Sequence, residues 1–161
     1  MRRRAAVGLL AAALAGCVGL QQGDVFPDAR DQVCVSYFGN ETFYRDVEFE
    51  LTEELVNEIL SSPGLRLSSR ETAEINLTGR VLDVGQRVLS ESKTQIPTSS
   101  NTSVTVEIVV TDARTGQVLK KRRLTQQGQF VPSRGEDLEF ARREAFRYLA
   151  RDIVRELEED F

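Results

Sequence analysis

The sequence predicts an α+β domain of two layers, a mixed sheet of about four strands with two helices packed on one face. Three observations carry that expectation. Apolar residues recur at helical spacing in two stretches, 47–60 and 138–157, they alternate with period two from Val104 to Thr111, and a tight turn, Asp112-Ala113-Arg114-Thr115-Gly116, follows the alternating stretch at once. With 161 residues, 40% of them hydrophobic, the chain has material for one modest core and not for a second domain.

The first sixteen residues stand apart from that domain. Arg2, Arg3 and Arg4 form a charged start, the stretch from Ala5 to Leu14 is small and apolar, and Leu14-Ala15-Gly16-Cys17 follows, the order of a secretory leader that ends in a lipobox. Cleavage between Gly16 and Cys17 makes Cys17 the new N-terminus and the site of lipidation. At about 0.8 kcal/mol per buried methylene, two or three acyl chains fix such a chain to a membrane permanently. Val18 stands where an inner-membrane retention aspartate would be, so the expected address is the outer membrane, with the domain in the periplasm. Residues 17–30, with Gly19, Gln21, Gln22, Gly23, Asp24, Pro27 and Asp28, read as the lipidated tether, and residues 31–161 as the single domain.

Within the domain, Val33-Cys34-Val35-Ser36-Tyr37-Phe38 is a short strand ended by Gly39-Asn40. Val47, Leu51, Leu55 and Ile59 line the core side of a helix expected within 43–60. Glu48, Glu50, Glu53, Glu54 and Glu58 take its other side. Ser61-Ser62-Pro63-Gly64 stops it, with Gly64 expected in a left-handed exit conformation. A second strand is expected over 73–89, bent at Gly79 or Gly85. A polar loop from Lys93 to Thr102 leads to the alternating third strand, and the turn at Asp112–Gly116 pairs it with a fourth, Gln117 to Phe130. Lys120, Lys121, Arg122 and Arg123 place two cations on each face of that fourth strand. It is therefore an edge, or its long side chains snorkel past the core rim. A final helix starts near Glu136, with Ser133 and Glu136 at capping-box spacing, and follows Leu138, Ala141, Ala145, Leu149, Ile153 and Leu157.

Charge and composition exclude several function classes. Loss of the leader arginines leaves 18 basic against 25 acidic side chains, a net charge of −7, which argues against nucleic acid as a partner. There is no histidine, Gly-rich phosphate loop, CxxC pair or nucleophile elbow, so no catalytic residue, metal site or cofactor is assigned and no enzyme is expected. The row Glu53, Glu54, Glu58 reads as a solvated helix face. Cys34, without a partner once Cys17 is lipidated, reads as a small buried hydrophobe.

Several short segments resemble the LptE family of lipopolysaccharide-assembly lipoproteins, over nearly all of the chain from the lipobox onward. Phe38-Gly39-Asn40-Glu41-Thr42 is similar to the family's F-x-N-x-T. Ala73-Glu74-Ile75-Asn76-Leu77-Thr78-Gly79 is similar to its A-D-x-x-L-x-G, with Glu74 in place of Asp. Asp112-Ala113-Arg114-Thr115-Gly116-Gln117-Val118-Leu119 is near its D-x-x-T-G-x-x-L, and the terminal helix is spaced by alanines as in the family. Val18-Gly19-Leu20 depart from the Gly-Tyr-His-Phe that follows the cysteine in many members. The resemblance implies a plug-like partner of the outer-membrane translocon, seated inside a large β-barrel subunit and in contact with lipopolysaccharide. A meander brings the loops after the second and fourth strands to one end. Lys93 and Arg134 then share a tip, and the resemblance implies that such a tip faces lipid A phosphates. Two ordinary surface charges would read the same way in sequence. A periplasmic lipoprotein that activates a cell-wall synthase, or serves another envelope assembly, is the alternative function with the same outline.

Overall fold

The computed structural model describes residues 31–91 and 97–159, and side chains there except at 88–91 and 97–99. In chain order the elements are β1 (Gln32–Val35), β2 (Gly39–Asn40), α1 (Val47–Ser61), β3 (Arg66–Leu67), β4 (Ile75–Glu91), β5 (Pro97–Asp112), β6 (Val118–Phe130), a 3-10 turn (Pro132–Arg134) and α2 (Leu138–Glu158). The sheet runs β3-β1-β4-β5-β6, and β2 pairs beside β4 beyond the end of β1. It therefore has six strands where the sequence suggested about four, because two extra pieces, β2 and β3, are only two residues long.

Strand β1 is parallel to both β3 and β4, with Val33 opposite Leu67 and Ile75. A parallel partner requires a crossover, and α1 supplies it. The rest is an antiparallel meander, β4 to β5 to β6. Alternation decides which side is covered. Ile75, Leu77, Val81 and Val84 of β4 and Val104, Val106, Ile108 and Val110 of β5 are buried, and they meet Val47, Leu51, Leu55 and Ile59 of α1 and Ala145, Phe146, Leu149, Ile153 and Leu157 of α2. Each of the large side chains fully removed from water here stabilises the fold by about 1.5–3 kcal/mol.

Both helices lie on this one face and run the same way. Arg142 of α2 holds Glu50 in the first turn of α1, while Ser62, just past the end of α1, donates to Glu158 at the end of α2. Two glycines set how closely the layers approach. A Cβ on Gly79 would lie 2.4 Å from the ring of Phe38, so the missing side chain gives that buried ring its seat. A Cβ on Gly128 would lie 1.8 Å from the carbonyl oxygen of Ala141, so the first turn of α2 rests on bare β6 backbone.

Several boundaries depart from the sequence reading, each for a local reason. The first strand breaks into β1 and β2, and α1 begins at Val47 after a loop. The helix ends because Ser62 turns extended ahead of Pro63, as residues before proline do; Gly64 is not among the positive-φ residues. In β4 the irregularities fall at Leu82, which has no opposite partner, and between Val88 and Glu91, leaving Gly79 and Gly85 in regular register. The polar stretch read as a loop is largely strand, since β5 begins at Pro97, a position a strand tolerates because its first residue need not donate. The cap of α2 is Asp137, whose carboxylate accepts from Phe140 N at 2.9 Å, and Glu136 instead accepts from Val131 N at 2.8 Å, so the Ser133–Glu136 capping box does not form. Cys34 lies opposite Asn76 and is half-buried; Val33 takes the core side, which turns Cys34 to the uncovered face.

Candidate functional site

The motif residues fasten the scaffold. Asn40 organises the loop between β2 and α1: its carbonyl oxygen accepts from Thr42 N and from the Thr42 hydroxyl, both at 2.8 Å, while its Nδ2 donates to Tyr44 O at 2.7 Å and to Glu48 at 2.8 Å. One side chain thus ties a turn to the first turn of a helix whose own cap, Asp46, has a positive φ of 64° and makes no side-chain capping bond. The turn after β5 is held in the same fashion. One carboxylate oxygen of Asp112 accepts from Arg114 N, Thr115 N and the Thr115 hydroxyl, and Gly116 takes φ 72°.

The cations of β6 divide between the two faces as alternation requires, and β6 is also the edge of the sheet. Lys120 and Arg122 lie on the helix side, where α2 answers them with acids. The Lys120 ammonium, nearly out of water, donates to Glu156 O at 2.8 Å and meets its carboxylate at 2.5 Å. Arg122 reaches the same carboxylate at 3.7 Å, and Gln126 donates to Asp152 at 2.5 Å. Long stems crossing the core rim to a charge at the helix surface are how a strand this basic packs.

Among the described residues no helix covers the other face of the sheet, which is polar, with a charge network across its middle. Glu107 on β5 is only 11% exposed at its side chain and accepts from Arg80 Nη2 at 2.8 Å and Nε at 3.2 Å, with Lys121 at 3.2 Å. Arg80 also holds Glu41 at 2.7 Å, so the row links the β2 loop to β4, β5 and β6. Hydrogen bonds from Arg80, then from Lys121, hold the Glu107 carboxyl below the usual carboxylate range, and Glu107 in turn raises Arg80. The Thr105–Thr125 hydroxyl pair and the bond from Asn101 to Gln127 continue the polar row toward the upper end.

At that upper end β4 and β5 run on beyond α1, closing with Glu91 opposite Pro97, and β6 ends with Phe130 opposite Ser100. The helix-facing positions change character here. Ser100 and Thr102 are buried where Val104 to Val110 were apolar, and Thr102 donates to Gly85 O at 2.9 Å. Arg134, exposed in the 3-10 turn, sits beside this end of β5. Lys93, the other residue expected at the tip, lies outside the described residues, as do the leader 1–16, the tether 17–30 and the Gly16–Cys17 cleavage and lipidation site.

Sequence reasoning did not single out Arg80, Glu107 and Lys121, although Glu107 is the one acid between Pro97 and Thr111 and stands at an outward position. It also passed over Tyr37, Phe43 and Phe49, large aromatics left exposed around the start of α1; Phe49 falls off the 47-51-55-59 core spacing, which was the available signal. Among the described residues, no group of three His, Cys, Asp or Glu is placed to hold a metal ion.

The motif residues Asn40, Gly79 and Asp112 fasten turns and layers of the two-layer domain, and the sheet face turned away from the helices carries a charged row. The chain belongs to the LptE family: the family model, described as lipopolysaccharide-assembly, matches residues 30–157. That family is non-enzymatic, and membership makes this chain a lipopolysaccharide-assembly protein of the cell envelope. No curated protein sequence matches the chain. Among solved structures, the fold is similar to a hypothetical protein from Chlamydia trachomatis, with TM-score 0.58 and 15% identity over 81% of this chain and 96% of that one. It is similar to PelC from Paraburkholderia phytofirmans, solved as a dodecamer, with TM-score 0.56 and 17% identity over 80% and 87%. An uncharacterized lipoprotein B from Nitrosomonas europaea gives TM-score 0.51 and 14% identity over 80% and 82%.

Proposed function

We propose that this chain is an outer-membrane lipoprotein of the lipopolysaccharide translocon, lipidated at Cys17 after cleavage behind Gly16, whose domain seats inside a β-barrel subunit on the periplasmic side and supports its assembly. The observation that carries the reading is the family match over 30–157. The uncovered sheet face supports it: charged, hydrogen-bonded side chains there suit the water-lined interior of a barrel better than a dry interface. Among the described residues no helix is long and apolar enough to cross a membrane, and in this reading the lipid on Cys17 attaches the chain.

In this reading the hairpin end, with Lys93 and Arg134, contacts lipid A phosphates. Affinity purification of the lipidated protein from detergent-extracted envelopes tests the partner: a large β-barrel protein should come with it. Recovery of a penicillin-binding protein in its place would favour a cell-wall synthase activator. The tip is tested separately, by lipopolysaccharide binding of wild type against Lys93→Glu with Arg134→Glu; an affinity unchanged by the double reversal removes the tip from the account.

A further inference from the structure

Three aromatic side chains at one end of the domain have no place in either the core or the polar sheet face. Tyr37, between β1 and β2, is 76% exposed, Phe49 in the first turns of α1 is 52% exposed, and Phe43 in the loop between them stands fully out of the surface. Tyr37 and Phe49 meet edge to face with ring centroids 5.7 Å apart, which holds two rings outward as a unit. The loop beneath them is rigid: Asn40 ties Thr42 and Tyr44 to Glu48, so Phe43 is presented from a fixed turn. Most of the neighbouring carboxylates are engaged. Glu41 is held by Arg80, Glu50 by Arg142 and Glu48 by Asn40, leaving Asp46, while Arg45 in the same loop is exposed.

We infer that Tyr37, Phe43 and Phe49 insert into the interfacial zone of the lipid leaflet that carries the protein's own anchor. A protruding ring set is a poor match for a water-lined barrel interior, whereas aromatic rings favour the membrane–water interface and a neighbouring arginine reaches headgroup phosphate by snorkelling. The reach is sufficient. Thirteen residues, 18–30, separate Cys17 from the domain and span up to about 45 Å when extended. Tyr37 lies only about 20 Å of extended chain beyond Asp31. The inference rests on the lipoprotein reading, and it sets which end of the domain faces the leaflet that carries its anchor.

The test uses two absences in the sequence: the chain has no tryptophan and no histidine. The mature chain from residue 17, held on vesicles by an N-terminal histidine tag and nickel-chelating lipid, carries one tryptophan, either Phe43→Trp or Leu60→Trp, the latter replacing an exposed residue at the far end of α1. On phosphatidylethanolamine–phosphatidylglycerol vesicles with brominated acyl chains, the Phe43→Trp protein should emit at shorter wavelength and lose intensity to bromine. The Leu60→Trp protein should emit like an indole in water, and adding Tyr37→Ser and Phe49→Ser to Phe43→Trp should restore the lost intensity. An unquenched Phe43→Trp protein that stays on the vesicle, or equal quenching at both positions, overturns the inference and leaves the patch to a protein partner. Since the tag holds the chain whether or not Cys17 is acylated, this failure is distinct from a failure of lipid anchoring, which mass spectrometry of the native N-terminus reads separately.

Discussion

The two halves of β5 are held by different forces. From Val104 to Val110 its helix-facing side chains are apolar and fully buried on the side that α2 covers, whereas at Ser100 and Thr102 the same face is polar and just as dry. The lower half is stabilised by apolar area. The upper half is stabilised by hydrogen bonding, as from Thr102 to Gly85 O, and by direct contact of the Gly128 backbone with the first turn of α2. A strand can thus extend past its hydrophobic core where small side chains and a bare glycine backbone let a helix end sit against it. The polar ends of β4 and β5 are thereby carried beyond the apolar core.

The largest loss of stability is expected in the lower half. Phe146 is the bulkiest fully buried side chain among the described residues, and Phe146→Ala should cost about 3–5 kcal/mol in denaturant unfolding. Next comes the upper half. Gly128→Ala places a methyl against Ala141 O, so α2 must lift at its start, at a cost of about 1–3 kcal/mol. Hydrogen exchange sharpens the contrast: Gly128→Ala should speed exchange in the first turns of α2 and leave α1 protected, whereas Phe146→Ala should loosen both helices.

How far these features could be read from sequence follows the same division. Where one periodicity governs, as in the apolar spacing of α1 and α2 and the alternation at Val104–Val110, element and face were legible. The turn at Asp112–Gly116 was legible because its chemistry is local, one carboxylate bonding the next residues' N–H groups. The strand nature of 97–102 was not, because Ser, Asn and Thr on both faces give no alternation and the pairing that orders them comes from β4. Two-residue strands such as β3 carry too little pattern to be seen. Arg134 lies beside β5, while Lys93, expected to share its tip, falls outside the described residues, and the Arg80–Glu107–Lys121 row depends on register across three strands, which sequence spacing does not reveal.

The smallest expected effect belongs to the uncovered face. With its pKa depressed in the folded state, Glu107 adds stability that is present above the ordinary carboxylate value and is lost as pH falls through the depressed one. Glu107→Gln should therefore flatten the acid limb of a stability–pH profile and change little at neutral pH beyond the lost ion pairs. A limb of unchanged steepness would mean that other carboxylates govern acid unfolding.

A role in lipopolysaccharide assembly is read out by depleting this protein in its native bacterium and labelling lipopolysaccharide at the cell surface. Surface label should fall as the protein disappears and return with wild type, but not with a Cys17→Ser chain. Undiminished surface lipopolysaccharide in cells shown to lack the protein would contradict it.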